Sequence, residues 1–93
     1  MTVIGEKSFS GWSGWVNITI PDSVTAIENY AFSLCSGLTN VTIGGGVKSI
    51  GNGAFENCTG LSNIVLPNGL ERIGSEAFYG CSKLTNITLP DSL

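Results

Sequence analysis

Residues 71–93 read Glu-Arg-Ile-Gly-Ser-Glu-Ala-Phe-Tyr-Gly-Cys-Ser-Lys-Leu-Thr-Asn-Ile-Thr-Leu-Pro-Asp-Ser-Leu. Moved back by 23 residues, this stretch falls on itself three times. Ile73 meets Ile50, Ile27 and Ile4, Phe78 meets Phe55, Phe32 and Phe9, and Leu89 meets Leu66, Ile43 and Ile20. No insertion or deletion interrupts the match. After Met1 the chain is four copies of one unit, 2–24, 25–47, 48–70 and 71–93, within a single domain spanning 1–93. A fixed period of this length marks a solenoid, because one unit cannot bury its apolar side except against its neighbours.

The second copy shows the internal pattern. Ile27, Ala31, Phe32 and Cys35 fall at i, i+4, i+5 and i+8, the spacing of one helical face. Ser36-Gly37 then breaks the pattern, and Val41 and Ile43 alternate as strand residues do. Each copy is therefore expected to supply one short helical turn, one tight turn and one short strand. The expected fold is an α/β solenoid, with a narrow parallel β-sheet on one face and short helical turns on the other. Pro21, Pro67 and Pro90 end the strands, since proline has no amide to donate. Gly44-Gly45-Gly46 replaces that proline turn in the second copy and reads as a looser one. Lys83 occupies the slot of Gly14, Gly37 and Gly60. If that slot demands a positive φ, Lys83 carries strain of about 1 kcal/mol and Lys83→Gly should stabilise.

The pattern Ile-Gly-x-x-Ala-Phe-x-x-Cys-x-x-Leu-x-x-Ile-x-Leu-Pro-x-x-Leu resembles the leucine-rich repeats of the BspA-like type over essentially the whole chain. Ile50-Gly51, Ala54-Phe55 and Cys58 carry it best, with Ile73-Gly74, Ala77-Phe78 and Cys81. The resemblance implies a right-handed leucine-rich-repeat superhelix. It also implies a cell-surface or secreted parent protein used for adhesion and protein binding. Two departures stand out. The first copy has Trp12 for the Cys, and the second has Glu28 for the Gly. The slot that carries a turn asparagine in the commonest leucine-rich repeats holds Ser23, Gly46, Gly69 and Ser92, so no ladder is expected there. The absence of a recognisable cap at either end suggests a fragment cut on repeat boundaries.

On each strand, inward Ile18, Ile20 and their equivalents leave the alternate residues on the open face. These are Asn17, Asn40, Asn63 and Asn86, with Thr19, Thr42, Val65 and Thr88. This row is the candidate ligand-binding face for a protein, peptide or glycan. The competing reading is that the stacked amides bond only each other and stabilise the sheet. Asn17-Ile-Thr, Asn40-Val-Thr, Asn86-Ile-Thr and Asn57-Cys-Thr match the glycosylation pattern. Repetition creates the first three, and a packed strand is a poor acceptor. Trp12 and Trp15 in the first copy read as large rings shielding an open end, or as an aromatic platform for a sugar or partner chain.

Chemistry beyond recognition has little support. Cys35, Cys58 and Cys81 share one slot, and a line of thiols suits neither a tetrahedral metal site nor a disulfide torsion. Buried free thiols packed near Phe are expected. With no His and no acid placed beside a base, no catalytic residue, metal site or cofactor is assigned, and the chain reads as a non-enzyme. Charged residues make up 12% of the chain and the net charge is −3. Lys7, Lys48, Arg72 and Lys83 are too few and too scattered to track a phosphate backbone, which argues against nucleic acid. No apolar run is long enough for membrane insertion, and no secretory signal precedes the repeats. Two functions remain: recognition through the Asn/Thr face, and a structural module that self-associates end to end. The second rests on unpaired strand edges and an apolar cross-section at each end.

Overall fold

The computed structural model describes residues 3–12, 14, 16–84, 87 and 90 of the chain. Numbered in chain order, the strands are β1 (Val3–Ile4), β2 (Asn17–Ile20), β3 (Ala26–Ile27), β4 (Asn40–Ile43), β5 (Ser49–Ile50), β6 (Asn63–Val65) and β7 (Arg72–Ile73). They form two parallel sheets, β2-β4-β6 and β1-β3-β5-β7. Every pairing carries an offset of 23 residues, as in Asn17↔Asn40↔Asn63 and Ile4↔Ile27↔Ile50↔Ile73. The solenoid is confirmed, with a second sheet in place of an expected helical side.

Within the coils, equivalent residues stack as columns. Ile27 and Ile50, Ala31 and Ala54, Leu38 and Leu61, and Val47 and Leu70 are all essentially inaccessible. Phe9, Phe32, Phe55 and Phe78 form one continuous aromatic stack. Ring centroids are 5.3, 5.2 and 5.6 Å apart, and the planes tilt by 15°, 3° and 3°. Each coil thus covers its neighbour's apolar section, which a coil by itself could not do.

No helix forms among the described residues. An α-helix over Ile27–Cys35 would commit each amide to a carbonyl four residues back. Instead, alternate amides leave the coil. Tyr30, Phe32 and Leu34 donate to the carbonyls of Asn52, Ala54 and Glu56 at 2.9, 2.8 and 2.7 Å. The intervening amides of Ala31 and Ser33 close three-residue turns to Glu28 and Tyr30. Positive φ angles of 59° at Tyr30 and 63° at Leu34 aim the alternate amides at the next coil. The same ladder runs from Lys7, Phe9 and Gly11 to the second coil, and from Gly53, Phe55 and Asn57 to the fourth. Consecutive tight turns bring Ala31, Phe32 and Cys35 to the inside, which imitates a helical stripe in the sequence.

The left-handed positions are therefore Lys7, Tyr30, Gly53 and Glu76, and Gly11, Leu34, Asn57 and Gly80. Gly60 and Lys83 are not among them, so Lys83 carries no left-handed strain. What Gly60 provides is room: a Cβ there would lie 2.6 Å from the Ser36 carbonyl oxygen. Strain sits at Leu34, which is 55% exposed and has little burial to lose. The left-handed cost of about 1–2 kcal/mol for a residue with a Cβ exceeds the chain-entropy cost of glycine, about 0.5–1 kcal/mol. Leu34→Gly should raise stability by about 0.5–1 kcal/mol, read from the urea midpoint at unchanged m. A lower midpoint would show that the leucine contributes packing the exposure does not reveal.

One further sequence reading is corrected. Gly44-Gly45-Gly46 is not a loose turn: a Cβ on Gly44 would lie 2.5 Å from the Ile20 carbonyl oxygen, and one on Gly46 would overlap the Asp22 carbonyl. Trp12 is 52% exposed, with its indole nitrogen against Gly14, while Trp15 lies outside the described residues.

Candidate functional site

Strand alternation determines the candidate face. In β4 the burial runs exposed, buried, exposed, buried, placing Val41 and Ile43 inside and Asn40 and Thr42 outside. β2 and β6 repeat it, so Asn17, Thr19, Asn63 and Val65 join the same exposed side. Asn86 and Thr88 lie outside the described residues. The register brings the six described positions into two columns, Asn17–Asn40–Asn63 and Thr19–Thr42–Val65.

The amides of the first column bond one another. Asn40 Nδ2 donates to Asn17 Oδ1 at 2.7 Å, and Asn63 Nδ2 donates to Asn40 Oδ1 at 3.0 Å. Asn40 Nδ2 also reaches Thr39 Oγ1 at 3.3 Å, so both of its protons are engaged. Beside this locked row stand the exposed threonine hydroxyls and the Val65 methyls, Val65 being 57% exposed. The face is thus rigid, uncharged, and mixed in polarity. A shallow cavity of about 220 Å³ adjoins it at Ile64, Val65, Leu66, Asn68 and Pro90.

The sequence reading missed a second concavity. Over β5 and β7 lies an open groove of about 690 Å³, lined by Asn29, Ser49, Gly51, Asn52, Arg72 and Gly74 among others. It continues into a smaller depression bounded by Glu6, Glu28 and Ala26. The groove exists because small residues stand above a close backbone approach. A Cβ on Gly51 would meet the Asn29 amide nitrogen at 2.6 Å, and one on Gly74 would meet the Asn52 amide nitrogen at 2.5 Å.

An asparagine ladder runs along this groove. Asn29 Oδ1 accepts from the Asn52 amide and Asn52 Oδ1 from the Ser75 amide, both at 2.8 Å. No ladder is expected at Ser23, Gly46 and Gly69, and the coils are tied here instead. The signal available in sequence was an Asn at the same turn slot of successive copies, Asn29 and Asn52, 23 residues apart.

The cysteines behave as buried free thiols. Cys35, Cys58 and Cys81 each donate to the carbonyl of Phe9, Phe32 and Phe55, at 3.2, 3.1 and 3.1 Å. Cys58 contacts the Cys35 and Cys81 thiols, and these contacts with burial push its pKa far above the thiol range. A neutral, donating thiol is a poor nucleophile, so Cys58 serves the stack. Among the described residues no group of three His, Cys, Asp or Glu could hold a metal, and no helix is long and apolar enough to cross a membrane.

Against known proteins, the model of the BspA-type leucine-rich repeat region matches residues 1–93 with six copies. A leucine-rich cell surface protein of Faecalibacterium prausnitzii A2-165 superposes with a TM-score of 0.88 at 35% identity, over 100% of this chain and 26% of its own. A leucine-rich repeat protein of T. pallidum superposes with a TM-score of 0.64 at 28% identity, over 97% of this chain and 53% of its own. This chain therefore spans about a quarter of the first relative and about half of the second. No curated protein matches the sequence. Repeat pattern, parallel coils and family match agree, and the chain belongs to the BspA-type leucine-rich repeat family.

Proposed function

We propose that the chain is a non-catalytic recognition module, binding a protein or glycan through Asn17, Thr19, Asn40, Thr42, Asn63, Val65 and, by repeat position, Asn86 and Thr88. The parent is a cell-surface or secreted adhesion protein, a reading supported by the F. prausnitzii relative, which is described as a cell surface protein. The observation that carries the binding face is the locked amide column beside exposed Thr19, Thr42 and Val65. Side chains already held by one another lose little freedom when a partner arrives, so more of the contact energy appears as affinity. With no charge on the face, recognition rests on hydrogen bonds and methyl contacts rather than long-range steering.

The test separates face from frame. Thr19→Lys with Thr42→Lys should cost no more than about 1 kcal/mol of stability, the penalty of two like charges opposite each other, and abolish capture by a panel of extracellular-matrix proteins and a glycan array. Asn40→Ala removes three side-chain hydrogen bonds and should lower stability by about 1–3 kcal/mol, since a neutral bond contributes about 0.5–1.5 kcal/mol and water compensates part of the loss at an exposed site. Binding retained in the double-lysine variant rules out this face.

End-to-end self-association is the second reading, and the polarity of the turn ladder favours it. Amides of one coil donate to carbonyls of the next, which leaves those of Glu76, Phe78 and Gly80 without a partner among the described residues. The carbonyls in register with them are those of Glu6, Ser8 and Ser10 in the first coil. Donors at one end and acceptors at the other suit head-to-tail stacking of two copies. Sedimentation across a concentration series tests it; a monomer throughout excludes it.

A further inference from the structure

The chain holds two Asn-Gly pairs, Asn52-Gly53 and Asn68-Gly69, and the structure treats them in opposite ways. Asn followed by Gly is the pair most open to intramolecular attack, because no side chain shields the glycine amide from the asparagine side-chain carbonyl. We propose that Asn68-Gly69 is a site of spontaneous deamidation and isoaspartate formation, assisted by Lys48, and that Asn52-Gly53 is held inert by the coil above it.

At Asn52 the side-chain oxygen and the attacking amide are both occupied. Its Oδ1 accepts from the Ser75 amide at 2.8 Å, and the attacking atom, the Gly53 amide nitrogen, donates its proton to the Ser75 carbonyl at 2.9 Å. The Asn52 carbonyl accepts from Tyr30 and its amide donates to Asn29 Oδ1. Gly53 itself is buried. Ring closure there requires the third and fourth coils to separate locally, which costs free energy.

At Asn68 none of these restraints is present among the described residues. Asn68 is exposed, and neither its side chain nor the Gly69 amide has a hydrogen-bond partner among the described residues. Above Gly69 sits a cation: a Cβ built on that glycine would lie 2.8 Å from Lys48 Nζ. An ammonium at that place stabilises negative charge developing on the Gly69 nitrogen and on the tetrahedral oxygen.

The chemistry needs only water. The Gly69 amide gives its proton to solvent, and its nitrogen attacks Asn68 Cγ to form the new N–C bond. The Cγ–Nδ2 bond breaks, and the side-chain nitrogen takes a proton and leaves as ammonia. Water then opens the five-membered imide. Opening at the side-chain carbonyl gives aspartate, and opening at the backbone carbonyl gives isoaspartate. The aspartate product reproduces the carboxylate of Asp22. Isoaspartate adds a methylene to the backbone two residues before Leu70, which is fully buried, and disturbs the stacking of the last coil.

The test is to incubate the folded 93-residue chain in mildly alkaline buffer and cleave it after glutamate, which puts Asn52 in peptide 29–56 and Asn68 in peptide 57–71. The gain of one dalton, and methylation by an isoaspartate methyltransferase, should appear at Asn68 at least about tenfold faster than at Asn52. In strong urea the two rates should converge, because the pairs are chemically alike. Lys48→Met, with the fold checked by circular dichroism, should slow Asn68 about fivefold, the effect of one nearby charge in water. Equal native rates overturn the proposal, as does a native Asn68 slower than in urea by the factor seen at Asn52. An Asn68 rate indifferent to Lys48→Met removes the assisting role.

Discussion

Phe55→Ala should lower the free energy of unfolding by about 3–5 kcal/mol, among the largest losses expected from a single side-chain truncation in this chain. Phe55 is wholly buried, and its ring is stacked on both sides, 5.2 Å from Phe32 and 5.6 Å from Phe78. Truncation removes the transfer energy of the ring and two stacked contacts, and opens a void in a column fixed by backbone pairing. The coils cannot close the void. Their spacing is set by the inter-coil amides of Tyr30, Phe32 and Leu34 on one side and Gly53, Phe55 and Asn57 on the other. A domain of this length holds roughly 5–14 kcal/mol in total, so the loss is a large share of it. Phe78→Ala provides the comparison, because Phe78 is only partly buried and stacks on one described ring. It should cost about half as much. Equal losses at both positions, measured by urea unfolding, would mean that the aromatic column is not the element holding the coils together.

The column was legible in sequence because stacking copies a side chain at every turn, so a 23-residue period is itself a statement about contacts. The strands were legible for a similar reason: Asn40-Val41-Thr42-Ile43 alternates, and alternation is what a half-buried strand requires. The turn side was not. Its alternate N–H groups bond between coils, and nothing in Glu28–Cys35 distinguishes an amide used within the coil from one used outside it. The left-handed positions were hidden as well, since one slot holds Lys7, Tyr30, Gly53 and Glu76, and only one of these is glycine. The second sheet escaped notice because its strands are two residues long, too short to show a period. The alternation that leaves Asn and Thr on the exposed side was legible for the described strands, whereas the groove beside Asn29 and Asn52 depends on a close backbone approach that a single sequence states only as Gly51 and Gly74.

Gly46→Ala should cost about 3 kcal/mol and Gly44→Ala nearly as much, while Gly45→Ala should cost less than about 0.5 kcal/mol. Three adjacent glycines in one exposed turn invite the expectation of uniform tolerance, and the backbone beneath them forbids it. A Cβ on Gly46 would run into the Asp22 carbonyl oxygen, with the Val24 carbonyl oxygen 3.1 Å away. On Gly44 it would meet the Ile20 carbonyl oxygen at 2.5 Å and the Asp22 amide nitrogen at 2.8 Å. These obstacles are main-chain atoms next to β2, so no rotamer change can clear them, and the second coil would have to lift from the first. Lifting would strain the Gly45 amide's bond to Asp22 Oδ1 and the pairing of Ile20 with Ile43. On Gly45 the nearest atom is Asp22 Oδ1 at 4.0 Å, and no positive φ is required there. The three variants differ by one methyl group at consecutive positions, so hydrophobicity and unfolded-state entropy are matched. A flat response across the triplet in thermal unfolding would show that the turn can rebuild itself. A loss confined to Gly44 and Gly46 would show that close contact between coil backbones, rather than glycine's freedom of φ, is what selects these residues.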